Sequence, residues 1–199
     1  MSESIPQTNS SGKAPAFSQN VAPSVGVAGA NDRIAVAIVG IGWSSGQNHL
    51  WGLCEKAHEY NIVVAAACDV FEIRRARAAE VAKLRQSDVY LDYRKILDRK
   101  DIDAVLIATH DPLHAQIALD SLEAGKHVYC ERPLTRYLGE AFQVFDKVKS
   151  TGKVFQVGVQ SCSAGAWLKC AELIATGKIG PVVWCNAAYW PATLERPLV

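Results

Sequence analysis

From Arg33 onward the chain alternates between short, uniformly apolar runs and longer stretches in which apolar residues recur every three or four positions. The runs "RIAVAIVG", "NIVVAAACD", "DVYL", "IDAVLIAT", "HVYCE" and "VFQVGVQ" read as six strands, because a continuous β-branched or apolar run bounded by turn residues suits a strand buried on both faces. Between them "HLWGLCEKAHEY", "EIRRARAAEVAKLR", "DYRKILDR", "DPLHAQIALDSLEAGK" and "LGEAFQVFDKVKSTG" carry helical spacing. In the fourth of these, Asp111 is expected as the cap, Pro112 at the first helical position and Gly125 as the stop. Buried strands alternating with helices predict a doubly wound α/β domain, a parallel sheet covered on both faces.

The two ends of the chain read differently. Residues 1–31 are rich in Ser, Asn, Pro, Gln and Ala without apolar periodicity, the pattern of a disordered arm. Residues 32–160 hold the doubly wound domain. Past Gln160, "AWLKCAELIATGKIG" predicts an amphipathic helix and "PVVWCNAAYWP" a strand. One helix and one strand cannot bury their own apolar faces, so residues 161–199 are expected to open an α+β domain that is incomplete here.

Composition narrows the partners. With 199 residues, 49% hydrophobic, 21% charged and a formal net charge of +1, the chain offers no excess of either sign to a nucleic acid or other polyion. No apolar run approaches the roughly 18 residues that cross a bilayer. The six cysteines, Cys54, Cys68, Cys130, Cys162, Cys170 and Cys185, form no CxxC pair and no cluster at metal-ligand spacing, so they read as buried thiols in a reducing compartment and no metal site is expected. The amino-terminal arm has neither a basic start nor a long apolar core, so the expected location is cytoplasmic.

The stretch "AIVGIGWSSGQNHL" places Gly40, Gly42 and Gly46 where the first strand feeds the first helix. A helix that starts there directs free N–H groups and the positive end of its dipole past the strand, a setting for a diphosphate. Gly40 permits the tight turn, Gly42 lets backbone approach the phosphates, and Gly46 lets the helix pack on the strand, although GxGxxxG is one residue longer than the usual fingerprint. Asp69 closes the second strand about 20 residues further on, where a carboxylate accepts the hydroxyls of an adenosine ribose. Such an acid repels a 2′-phosphate and favours NAD, while Arg74 and Arg75 nearby keep NADP open. The bland alternative is a βα turn with Asp69 as a helix cap.

At the carboxyl end of the fifth strand stands "YCERPLT", residues 129–135. Glu131 and Arg132 either project into the crevice beyond the strands, with Pro133 fixing the backbone, or form a surface ion pair beside a turn.

Taken together, the glycine loop with "NHL" behind it, Asp69, "AT" followed by "PLHAQIALDSLEAGKHVYCERPL", and "VFQVGVQ" resemble the Gfo/Idh/MocA family, the glucose-fructose oxidoreductase and inositol dehydrogenase group, over about residues 31 to 190. The resemblance implies a Rossmann domain followed by an open-sheet domain, and hydride transfer between NAD(P) and a sugar or cyclitol carbon. It also implies phosphate contacts along the loop from Gly40 and Gly42 through Trp43 to Gly46, a ribose contact at Asp69, and cofactor-lining roles for Thr109, Pro112, His114 and Glu131. His114 has the alternative of an ordinary first-turn helix residue, and Gln160 that of a strand-end amide.

Two departures from the family pattern shape the expected chemistry. The family motif is normally Glu-Lys-Pro, whereas this chain carries Arg132; arginine stays protonated, so it orients a substrate oxygen but does not shuttle its proton. Relatives also continue well past residue 199, and the resemblance places their proton-transfer groups in that sheet domain. The expected activity is therefore an NAD-dependent oxidoreductase acting on a small carbohydrate-like alcohol, with homo-oligomers formed through the fuller second domain. The alternatives are an NAD-dependent glycosidase and a nucleotide-binding fragment without catalysis. The segment "GANDRI" resembles the stretch behind the export leader of secreted members, which keeps a periplasmic location open.

Overall fold

A computed structural model of the chain describes residues 33–42 and 45–186. Six strands, β1 (Ile34–Val39), β2 (Ile62–Cys68), β3 (Val89–Tyr90), β4 (Ala104–Ile107), β5 (His127–Glu131) and β6 (Phe155–Gly158), form one sheet in the order β3-β2-β1-β4-β5-β6. Every neighbouring pair is parallel. The order reverses between β1 and β4, and at such a reversal the connections leave a crevice beyond the carboxyl ends of the strands.

The connecting helices are α1 (Gly46–Lys56), α2 (Glu72–Val81), α3 (Arg94–Leu97), α4 (His114–Glu123) and α5 (Leu138–Thr151). One face of the sheet packs Val39, Val105, Ile107 and Val128 against Ile96 of α3, Ile117 and Leu122 of α4 and Val144 of α5. The other packs Val36, Ile38, Val64 and Leu106 against Leu50 of α1 and Ala78 of α2. Each fully buried Ile or Leu contributes about 1.5–3 kcal/mol by leaving water, so the two clusters together fix the register that brings the strand ends level.

Several expectations are corrected. Asp111 does not cap α4: Asp111–Leu113 form a 3₁₀ turn without a side-chain cap, and the helix starts at His114. Pro112 does sit at the head of that turn, where its missing N–H costs nothing. Gly125 ends the segment at φ +77, a left-handed conformation that glycine adopts freely. The second helix stops at Val81 rather than running to Arg85, with Lys83 in a left-handed conformation at φ 54. Residues 181–186 carry no strand, and the rest of that expected strand, like the arm at residues 1–31, lies outside the described residues. Cys68 and Cys130 are buried, and burial pushes both thiols up to about 12; Cys162, Cys170 and Cys185, however, are exposed.

Coverage of the sheet is also uneven. On the α1 side an apolar recess of about 360 Å³ opens between α1 and the sheet, lined by Val36, Gly52, Leu53, Leu106 and Tyr129 among others. The helix α6 (Gly165–Ala175), which follows β6 through a 3₁₀ turn at Gln160–Ser163, buries none of its residues. No helix among the described residues is long and apolar enough to cross a membrane.

Candidate functional site

Because all six strands run the same way, Gly40, Asp69, Thr109, Glu131 and Gly158 all fall at one edge of the sheet, just past or at the carboxyl ends of β1, β2, β4, β5 and β6. Gly40 turns at φ +88, and a Cβ there would stand 2.6 Å from the carbonyl of Ala108 and 2.7 Å from the nitrogen of Thr109. The turn out of β1 is thus pressed against the turn out of β4. A Cβ on Gly46 would collide with the Gly40 carbonyl, so the start of α1 sits directly on the strand end. Gly42 is different: the nearest atom to a Cβ there is Arg74 Nη1, at 3.9 Å. Among the described residues that space is open, and it lies beside the first residues of α1, where a diphosphate would rest. Trp43, the remaining expected loop contact, lies outside the described residues.

Asp69 is buried and its carboxylate holds the loop in shape. Its Oδ2 accepts the Ile41 N–H at 2.7 Å and its Oδ1 the Phe71 N–H at 2.9 Å. A carboxylate has about four lone-pair sites, so two remain for a ligand hydroxyl. The two arginines behind it diverge. Arg75 donates to the carbonyls of Asp69 and Val70 and so braces the backbone. Arg74 lies 3.8 Å from Asp69 Oδ2 and 4.7 Å above the Phe71 ring, with its guanidinium beside Gly42.

The stretch after β4 divides its expected roles. Thr109 is half-buried and Pro112 exposed at the rim. His114 is 1% exposed, with Nδ1 2.7 Å from the Pro133 carbonyl and Nε2 3.0 Å from the Thr109 carbonyl. Both ring nitrogens face backbone carbonyls, so this imidazole ties the β4 turn to the β5 turn.

Glu131 and Arg132 do not pair with one another as side chains. Glu131 Oε1 lies 2.6 Å from His49 Nε2, and Oε2 accepts the backbone N–H of Arg132 at 3.1 Å. The Arg132 side chain is exposed and enters no ion pair among the described residues. Tyr129 stands beside this group, its ring edge-on to His49 at 5.3 Å between centroids. Burial, and then the charge of Glu131, raise the Tyr129 hydroxyl above its ordinary value, so it stays protonated. Gln160 enters the 3₁₀ turn after β6.

His49 and Tyr129 are the members that sequence reasoning passes over. The helix begins at Gly46, which places His49 one turn in from the cradle, but its partner lies 82 residues away and no local pattern announces it. Among the described residues no group of three or more His, Cys, Asp or Glu side chains is placed to hold a metal ion.

Residues 34–159 match the Gfo/Idh/MocA oxidoreductase family, NAD-binding Rossmann fold. The chain is 27% identical over 161 residues to inositol 2-dehydrogenase of Salmonella paratyphi B, covering 80% of this chain and 47% of that protein. It is 30% identical over 163 residues to alpha-N-acetylgalactosaminidase of Shewanella oneidensis, covering 78% and 35%. The crystal structure of scyllo-inositol dehydrogenase from Lactobacillus casei with bound NAD(H) and scyllo-inositol superposes with a TM-score of 0.68 at 26% identity, covering 74% of this chain and 42% of that one. The chain thus spans about half or less of the length of these relatives.

Proposed function

The chain belongs to the Gfo/Idh/MocA family of oxidoreductases, and from that premise we propose that its sheet edge holds a nicotinamide dinucleotide for hydride transfer to or from a sugar- or cyclitol-like alcohol. The observation that carries the reading is the cradle: Gly40 and Gly46 are packed so tightly that no side chain fits, while Gly42 alone leaves room, with Asp69 holding the loop around it.

In this reading the N–H groups at the start of α1 and the Gly42 backbone receive the diphosphate, and the free lone pairs of Asp69 accept the adenosine ribose. The chemistry a bound nicotinamide supplies is hydride exchange with a substrate carbon. Glu131 lies on the nicotinamide side of the edge. Arg132, exposed beside it, orients the substrate oxygen and stabilises negative charge developing on it, but it cannot carry the proton away. We infer that residues 161–199 open a second domain and that the base belongs to it. The buried Asp69 charge favours NAD over NADP; Arg74, 3.8 Å away and facing the cradle, is the group through which a 2′-phosphate would be tolerated.

The test is a Gly42→Val substitution, because the added Cβ meets no described residue closer than Arg74 Nη1 at 3.9 Å and stands where the ligand would lie. The expected result is a parent chain whose melting temperature rises with NAD, and a variant that melts like the parent but does not respond. No response in the parent at millimolar NAD, or an equal response in the variant, removes the reading. The likeness to the galactosaminidase favours a second one, in which the dinucleotide is retained through the reaction cycle. NAD that survives desalting of the purified protein supports it; NAD that exchanges freely argues for the dehydrogenase.

A further inference from the structure

The His49–Glu131 contact has no part in the function just described, yet it is the main polar tie between α1 and the end of β5. The carboxylate is held on three sides. Its Oε1 takes the His49 Nε2 hydrogen at 2.6 Å, and its Oε2 takes the Arg132 N–H at 3.1 Å. On the β6 side, a Cβ on Gly158 would stand 3.0 Å from Oε1 and 2.7 Å from the Tyr129 hydroxyl, so only glycine leaves the carboxylate and ring in place. The imidazole is fixed in turn by the edge-on Tyr129 ring. A carboxylate oxygen only accepts, so Nε2 carries the hydrogen, and a separation this short is that of a charge-assisted bond. The side chains are 26% and 13% exposed, so the pair sits at the rim of the crevice, within reach of a ligand and largely shielded from bulk water.

We propose that His49 is a positioning residue: it clamps Glu131 to the helix that receives the diphosphate, so that phosphate binding and the orientation of the nicotinamide half are set by one rigid element. The proposal rests on the dinucleotide reading above. A clamp of this kind acts only on the half of the ligand near Glu131. It leaves the adenosine half, which meets Asp69 and the glycine loop, unaffected. A merely structural tie would support α1 as a whole and would disturb both halves alike.

Two ligands separate these cases in the full chain: NADH, and ADP-ribose, which has the diphosphate and adenosine but no nicotinamide. His49→Phe keeps a ring against Tyr129 without the donor, and His49→Gln returns an N–H donor. H49F is expected to weaken NADH binding by about tenfold or more, because Glu131 is no longer held toward the nicotinamide half, with ADP-ribose affinity within about twofold of the parent. H49Q is expected to recover most of the NADH affinity. The proposal is overturned if H49F binds NADH like the parent, or if both ligands weaken together without rescue by H49Q. A parent that binds neither ligand removes the cofactor reading and this one with it, and that outcome is recognised by the missing ADP-ribose signal. Should H49F not fold, Glu131→Gln takes its place, with imidazole nitrogen shifts as a second readout. The Nε2–H form of His49 in the parent and changed shifts in E131Q support the clamp; unchanged shifts overturn it.

Discussion

Helices α4 and α6 have nearly the same length and the same recurrence of apolar residues, yet α4 buries Ala115, Ile117, Ala118, Ser121 and Leu122 and α6 buries nothing. Trp167 on α6 remains 62% exposed, and Trp184 beyond it 81%. Helical spacing sets which side of a helix is apolar, but burial requires a complementary surface. For α4 the sheet provides one, because β4 and β5 flank the helix in sequence and pair directly. Among the described residues nothing after β6 does the same for α6. The sheet in turn keeps its apolar recess between α1 and the strands, so among the described residues the chain carries two uncovered apolar surfaces.

This contrast makes graded demands on stability. The largest effect is expected from Gly40→Val, where a side chain meets the Ala108 backbone at 2.6 Å and φ is +88; unfolding in urea should show a loss of more than about 4 kcal/mol. Next comes Leu50→Ala, at a side chain with no exposure at all, at a cost of about 2–5 kcal/mol for the transfer and the cavity together. A cost near zero there would mean that the α1 face is far looser than its packing indicates.

Asp88→Asn follows, with a pH signature. The hydrogen bond from Arg85, with Arg99 at 2.9 Å beside it, holds the Asp88 carboxyl below its ordinary value. A depressed carboxyl contributes stability that is fully present above the ordinary carboxylate range and is lost as pH falls through the folded-state value. The variant should therefore be less stable than the parent by about 1–3 kcal/mol at neutral pH, and the gap should close below about pH 4. A gap that persists into acid would rule out the ion pair as its source. The smallest effect is expected from Trp167→Ala, within about 0.5 kcal/mol of the parent. A cost several times larger would show that α6 finds a surface in solution and would abolish the contrast itself.

The parallel sheet was legible because β1, β2 and β4 are apolar on both sides and their helices carry matching stripes. The glycine loop was legible because a strand, a turn and a helix lie within a dozen residues. The end of α2 is not legible in the sequence: Lys83 turns left-handed after a run of good helix formers, and propensity has little power to mark such a stop. The exposure of Cys162, Cys170 and Cys185 is not legible in the sequence, because residue type marks a thiol as apolar but does not say whether another element covers it.

Local order in this chain follows from interactions that close within one or two turns of backbone, such as the apolar period, the tight turn at Gly40 and the bond from the Phe71 N–H to Asp69 two residues before it. These are written into neighbouring residues and can be read from them. The use of His114 as a brace between two turns, the reach of Asp69 to the Ile41 N–H, and the meeting of His49 with Glu131 depend on which strands become neighbours when the sheet reverses between β1 and β4. That choice is made by packing summed over the whole sheet, and no short stretch of the chain contains it.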